Sequence, residues 1–467
     1  MNELLKQDAA AIGTLLEKVK LTGVQYLEQI NERSTNASQV PVIDGRLPVT
    51  GAGAEAALYE FYRRFEPLMV AAGGPRYWGF VTGGATPAAI AGDWLTTIYD
   101  QNSFAVKGQG DISANIELET IQLLLDLLGL PGDFLGGFVT GATMSNFTCL
   151  AVARQWVGLQ SGKDIAKEGL HIPVPVLAAT PHSSAIKSLS LLGIGSSHII
   201  VVQTDEGNRE SMQMADLEKQ IEALQGQPFI LVSSGGTVNT VDFDDFVAIA
   251  ALKKKHHFWW HIDAAFGGFA ACSDAHQHLL RGWEAADSIT VDCHKWLNVP
   301  YESAVFLVKN QHRLLQVETF QNSNAPYLGD PLENFSFMNF LPENSRRLKA
   351  LPAWFTLKAY GKNGYKDIVE SCIALAQQLG TYIAKSPHFE LLAPVRLNTV
   401  CFALKDAATE NSTAAFLHEL NSTGKVFMTA TVYKGKKGIR AAMVNWRSAA
   451  PDVELVIALM EELATRH

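Results

Sequence analysis

The chain has 467 residues, 47% of them hydrophobic and 18% charged, with a formal net charge of −9. That is the composition of a soluble globular protein with a large core, long enough for two or three domains. The acidic balance excludes a general affinity for nucleic acid or acidic membrane surfaces. No apolar run reaches the ~18 residues of a membrane span. The basic clusters Lys253–Lys255 and Lys434–Lys437 are short and read as solvated faces. The five cysteines (Cys149, Cys272, Cys293, Cys372 and Cys401) are scattered and lack C-x-x-C spacing. This suits a reducing cytoplasm rather than a disulfide framework or a zinc site. The N-terminus is too polar for a signal peptide.

Residues 1–33 read as helix, with Ile12, Leu15, Leu16 and Val19 on one face. Residues 34–56 are a Ser/Gly/Pro/Thr-rich linker, and helix returns near Ala57–Ala71. The stretch Gly73–Gly84 sets Tyr77, Trp78, Phe80 and Val81 among glycines, as a pocket-lining loop would. A helix over Ile116–Leu130 stops at Pro131-Gly132. The short strand Phe138–Thr140 then runs through Gly141-Ala142-Thr143-Met144-Ser145-Asn146 into a helix. Small residues opening a helix after a strand offer free N–H groups and a positive dipole end to a phosphate. The segment is neither G-x-G-x-x-G nor a Walker A loop.

Strands follow at Pro175–Thr180, His198–Val202, Phe229–Val232, Phe258–Ile262, Ser288–Val291 and Ser303–Val308, with helices between them such as Ala215–Leu224. The alternation predicts an α/β fold with a mostly parallel sheet. Ligands of such sheets sit at the carboxyl ends of the strands. Thr143, His182, Thr237, Asp263 and Lys295 all fall there. Residues 319–346 form a long polar segment, read as a lid or functional loop. A helix near Trp354–Tyr360 leads into a C-terminal unit with strands at Thr399–Ala403, Val426–Thr431 and Ile439–Val444. The expected division is an N-terminal helical dimerisation segment (1–88), a large cofactor-binding domain (89–348) and a small α+β domain (349–467).

Two of these strands carry the chemistry. One ends in His261-Ile262-Asp263-Ala264-Ala265, the other in Asp292-Cys293-His294-Lys295-Trp296. A lone lysine after a strand is usually solvated, and a lone aspartate is usually a cap or turn former. Together, at neighbouring strand ends, they suit pyridoxal 5'-phosphate (PLP), which needs a lysine for its Schiff base and an acid for its pyridine nitrogen. No metal site is expected. His257 and His261 are four apart on a strand rather than a helix, and no carboxylate completes H-E-x-x-H.

These motifs, with Pro181-His182-Ser183-Ser184, resemble the group II PLP-dependent amino-acid decarboxylases from about Pro75 to the C-terminus. That family includes aromatic-amino-acid, tyrosine, histidine, glutamate and diaminobutyrate decarboxylases. The resemblance implies the PLP-dependent transferase fold of type I and a homodimer with active sites at the subunit interface. It implies that Lys295 carries PLP, Asp263 pairs with the pyridinium, and His182 stacks on the ring. Thr143, Met144 and Ser145 would form the phosphate cup, with His294 beside it, and Thr237 and Ala265 would contact the ring region. Tyr327 matches the family's loop tyrosine and Arg440 an arginine near the substrate carboxylate. Trp78, Phe80 and Val81 become candidates for the substrate pocket.

The implied reaction is decarboxylation of an L-amino acid to the primary amine through an external aldimine and a quinonoid, with Tyr327 returning the proton. Aromatic residues near the pocket favour an aromatic substrate. An acidic amino acid or diaminobutyrate is the alternative. An aminotransferase or aldehyde-forming enzyme of the same fold is a further one, since some relatives carry Phe at the Tyr327 position and form the aldehyde. A binding-only protein of this fold is disfavoured by the intact Lys295, Asp263 and His182. One departure is Asp292, where many relatives have Asn. It should face away from a phosphate or be hydrogen-bonded.

Overall fold

The computed structural model describes residues 2–37, 39–42, 45–106, 111–321, 334–405 and 411–466. Seven segments rich in β-branched and aromatic residues form the main sheet: β1 (Phe134–Val139), β2 (Val176–Ala178), β3 (Ile199–Val201), β4 (Ile230–Ser234), β5 (Trp259–Asp263), β6 (Ser288–Val291) and β7 (Ala304–Lys309). Their order is β1-β7-β6-β5-β4-β2-β3. Neighbours from β3 to β6 pair in parallel, and β7 runs antiparallel to both β6 and β1.

Because strand side chains alternate, each strand feeds two layers. Trp260, Ile262, Ile289 and Leu307 enter the larger hydrophobic cluster. Trp259, Phe306 and Val308 enter the cluster built on the helix Ala142–Gln160. Both buried indoles are satisfied: Trp259 Nε1 donates to Ser288 Oγ (2.9 Å) and Trp260 Nε1 to Ser233 Oγ (2.7 Å). Ser234 lies opposite Asp263, and Asp263 opposite Thr290, so the carboxyl ends of β4, β5 and β6 are level.

A second sheet is antiparallel, in the order β10-β11-β9-β8, from β8 (Phe389–Leu391), β9 (Thr399–Leu404), β10 (Thr429–Tyr433) and β11 (Lys436–Ala442). The helix Ala350–Lys385, interrupted at Gly361, joins the two sheets. The segment 77–84 ties them again: Trp78 N–H donates to Phe427 O, and Ala442 N–H donates to Trp78 O. The N-terminal helices Glu3–Ala10, Ile12–Glu28 and Ala54–Arg64 bury no residue of their own. Leu5, Ile12, Leu16, Val19 and Val24 are exposed on them.

Several expectations are corrected. The helix Pro87–Tyr99 and the strand β8 were not anticipated. Of the segment 319–346, expected to be a lid or functional loop, residues 322–333 lie outside the described residues, and in the part that follows Phe337, Phe340 and Leu341 are buried. Lys253 is not simply solvated, since its ammonium bonds Phe258 O and the buried Asp287.

Arg346, at the end of that segment, makes a buried ion pair with Glu117 and donates to the carbonyls of Phe138 (2.6 Å) and Ser103 (3.1 Å). Glu117 in turn accepts the Phe138 N–H (2.7 Å). This clamp fixes the end of β1, from which the helix at Ala142 departs. Removing one partner strands a buried charge, so Arg346→Met is expected to cost about 3–5 kcal/mol of stability. A denaturation midpoint equal to that of the native chain would refute the clamp.

Candidate active site

The level ends of β4, β5 and β6 open into a cavity of about 700 Å³. Its walls include these strand ends, the start of the helix Ala142–Gln160, the segment Thr180–Ser184 after β2, and residues Thr431 and Arg440 of the second sheet. Phe80 and Val81 close one side.

Lys295 stands in the turn after β6. Its Nζ lies 2.8 Å from Asp292 Oδ2 and 5.8 Å from the centre of the Phe266 ring. The loop carrying Phe80 presses on this turn, and a Cβ at Gly83 would lie 1.7 Å from the Lys295 carbonyl oxygen. Only glycine permits that approach. Asp292 does not turn away from the cavity. It is buried at the wall, bonded to Lys295 through one oxygen, while its Oδ1 has no partner. His294 Nδ1 accepts the Ser303 N–H (3.2 Å), and its ring packs on Tyr301 at 4.3 Å. Burial holds the His294 pKa below the ordinary value. Cys293 is not a nucleophile, because burial pushes its thiol well above the usual range.

Asp263 ends β5 and is buried. Its Oδ2 accepts from Asn146 Nδ2 (2.9 Å) and its Oδ1 from the Ala265 N–H (3.2 Å). Ala265 itself lines the cavity. His182 caps the helix Ser183–Leu191, its Nδ1 accepting the Ser184 N–H (3.2 Å) and facing Ser184 Oγ (2.7 Å). Burial lowers its pKa, against the pull of nearby Asp263.

The helix Ala142–Gln160 starts at Gly141 with no side-chain cap, so the N–H groups of its first turn face the cavity beside Ala142 and Thr143. Ser145 is turned elsewhere: its hydroxyl meets Thr290 Oγ1 (2.9 Å) and Val305 O (3.0 Å). Met144 packs against the hydrophobic cluster behind it. Thr237 lines the cavity, but its hydroxyl is occupied, donating to Glu210 and accepting the Asp242 N–H (3.0 Å). Arg440, on β11, donates through Nη1 to Val238 O (3.2 Å), and its buried Nε has no partner. Burial also lowers the Arg440 pKa.

Phe80 and Val81 hold φ values of 55° and 60°, a region costly for any side chain and most so for β-branched valine. Trp78 is a correction: it lies in the core, its Nε1 bonded to Pro75 O, and does not line the cavity. Tyr77 stacks on Phe427. Tyr327 lies outside the described residues. Sequence reasoning missed Asn146, Ser184 and Glu210 as partners of the site. Asn146 had a signal, one residue beyond the expected phosphate cup; Glu210 had none.

A family profile described as the pyridoxal-dependent decarboxylase conserved domain matches residues 53–405. The chain belongs to this decarboxylase family. An aromatic-L-amino-acid decarboxylase of Bacillus atrophaeus is 27% identical over 476 aligned residues, covering 96% of both chains. The cysteine sulfinic acid decarboxylase of Mus musculus is 29% identical over 411 residues, 86% of this chain and 80% of the relative. Among solved structures, Oryza sativa TDC with PLP and tryptamine shares the fold with a TM-score of 0.89 at 23% identity, over 98% of each chain.

The decarboxylase's cofactor is pyridoxal 5'-phosphate. The cavity suits it chemically: it offers a primary amine, a carboxylate held by two donors, an imidazole, and an uncapped helix start for a phosphate. Behind this wall His261 is fully buried, which pushes its pKa down to about 4. The unfolded chain therefore takes up a proton that the folded decarboxylase refuses, and the stability held above about pH 6.5 is lost as pH falls toward 4. The stability difference between the native chain and His261→Asn should narrow by about 1.4 kcal/mol per pH unit over that window. A difference that stays flat or widens on acidification would contradict the buried neutral histidine.

Proposed function

We propose that this enzyme decarboxylates an aromatic L-amino acid to the primary amine and CO₂. The observation that carries the reading is the placement of Asp263 and Lys295 at the ends of adjacent parallel strands, facing one cavity. When bound, PLP supplies a sink for the electron pair left at Cα as CO₂ departs. Lys295 Nζ is the group that would hold the cofactor covalently. Asp263, given two donors, is the anion that keeps a proton on the pyridine nitrogen. The N–H groups at Ala142 and Thr143 serve the phosphate. Arg440, a half-buried cation whose buried Nε has no partner, serves the substrate carboxylate.

The aromatic preference is supported by the Bacillus relative and by Phe80, whose ring borders the cavity and is 61% exposed. An acidic amino acid is the second reading, favoured by the mouse cysteine sulfinic acid relative. The enzyme is further proposed to be a cytoplasmic homodimer divided near residues 88 and 348. Support comes from the exposed apolar face of the N-terminal helices and from five cysteines that are all buried and free.

PLP-loaded protein should release amine and CO₂ from tryptophan, tyrosine or dopa. Turnover confined to glutamate, aspartate, cysteine sulfinate or diaminobutyrate would replace the aromatic reading with the second one. Aldehyde and hydrogen peroxide in place of amine would mark oxidative chemistry. Lys295→Ala should lose turnover together with the borohydride-sensitive visible absorbance. Sedimentation should give twice the chain mass, and Leu16→Glu combined with Val19→Glu should shift it toward monomer.

A further inference from the structure

A buried hydrogen-bond chain runs behind the cavity, and the Asp263 carboxylate at its end sets its direction. It begins at Trp259 Nε1, which can only donate, and which donates to Ser288 Oγ (2.9 Å). Ser288 Oγ lies 2.9 Å from His261 Nδ1, and His261 Nε2 lies 2.9 Å from Asn146 Oδ1. The Asn146 amide nitrogen reaches two groups: Asp263 Oδ2 (2.9 Å) and Ser184 Oγ (3.0 Å). Thr290 Oγ1 donates to the same Asn146 Oδ1 (2.7 Å). Asp263, as a carboxylate, can only accept. An Asn146 turned end for end would place its carbonyl against that carboxylate. The amide is therefore locked, with all four of its hydrogen-bonding positions filled inside the protein.

The direction passes on to His182. Ser184 Oγ accepts from Asn146, so its own hydrogen is free for His182 Nδ1 at 2.7 Å. The Ser184 main-chain N–H points at the same nitrogen. A ring nitrogen facing two donors carries no proton, so the hydrogen of a neutral His182 sits on Nε2.

We propose that Asn146 is the positioning residue of the decarboxylase site: one amide holds Asp263 as a fixed anionic acceptor and, through Ser184, keeps His182 a neutral Nε2–H donor. Asn146 touches neither substrate nor cofactor in this role. The inference rests on PLP occupying the cavity, and PLP uptake by the native chain is the control that separates failure of that reading from failure of this one.

The first test needs no variant at Asn146. In the full-length native protein labelled with ¹⁵N-histidine, with the His182 signals assigned by their loss in His182→Gln, Nε2 should be protonated and Nδ1 bare at pH 7. A protonated Nδ1 would overturn the proposal. The second test uses Asn146→Ala and Asn146→Asp. Hydrogen bonds to a charged group imply that PLP affinity should weaken about 10- to 100-fold in either variant. The pH midpoint of the bound cofactor's visible spectrum should shift in Asn146→Ala, and kcat should fall more than KM changes. The charged groups bearing on His182 are Asp263, Lys295, Arg440 and Asp292, and Asn146→Ala leaves all of them in place. A purely structural role predicts a lower unfolding temperature with native PLP affinity and a native spectral midpoint; that result would refute the proposal.

Discussion

A carboxylate buried at the end of a central strand keeps its charge only if donors replace the water it has given up. Asp263 is in that position, and much of the surrounding architecture answers to it. Parallel pairing on both sides of β5 brings Ser234 and Thr290 level with it. The turn after β5 doubles back so that the Ala265 N–H reaches one oxygen. The helix starting at Ala142 crosses behind the sheet at a height that delivers Asn146 to the other. The Arg346–Glu117 clamp on Phe138 holds the strand from which that helix springs. A site that looks like a few polar residues on loops is thus tied to the packing of the whole sheet.

The charges around the cavity divide by how fully they are occupied. Asp263 has Asn146 and Ala265; Glu210 has the hydroxyls of Thr237 and Thr240; Asp292 has Lys295 on one oxygen. Arg440 has one carbonyl and an idle Nε, and the first turn of the helix at Ala142 has unused N–H groups. The unfilled hydrogen-bonding capacity is therefore mostly that of donors. This is the arrangement expected of a site built for a phosphate and a carboxylate. Asp292 runs against the pattern, and its tie to Lys295 limits how much repulsion it presents.

Much of this was legible in the residue order because period-two burial and strand-end chemistry are local. The cores of β4, β5 and β6, and the convergence of Asp263, Lys295 and His182, follow from short motifs. Side-chain direction was not legible. Trp78 and Phe80 are two apart in one glycine-rich loop, yet the first is core and the second lines the cavity, because the chain turns through positive φ at Phe80 and Val81. Thr237 lines the cavity and Ser145 does not, and their hydroxyls are drawn off by Glu210 and Val305, partners far away in sequence. The reversal of β7 and the short strand β8 depend on pairing across the fold. The polar composition near residue 340 concealed three buried apolar side chains.

The segment 77–84 also bears on how this enzyme could be re-engineered. It is the natural place for a randomised library, since it borders the cavity and carries Phe80 and Val81. Yet a Cβ at Gly79 would fall 2.5 Å from the Phe427 ring, and one at Gly83 would fall inside the Lys295 main chain. Trp78 is fixed by the core and by two main-chain bonds. The usable diversity is therefore narrow. Codon 80 can be varied, while randomising 79 would push into the Phe427 ring and randomising 83 would fill the library with clones whose lysine turn is displaced. Selection for new substrates would then be reading a folding defect as a loss of specificity.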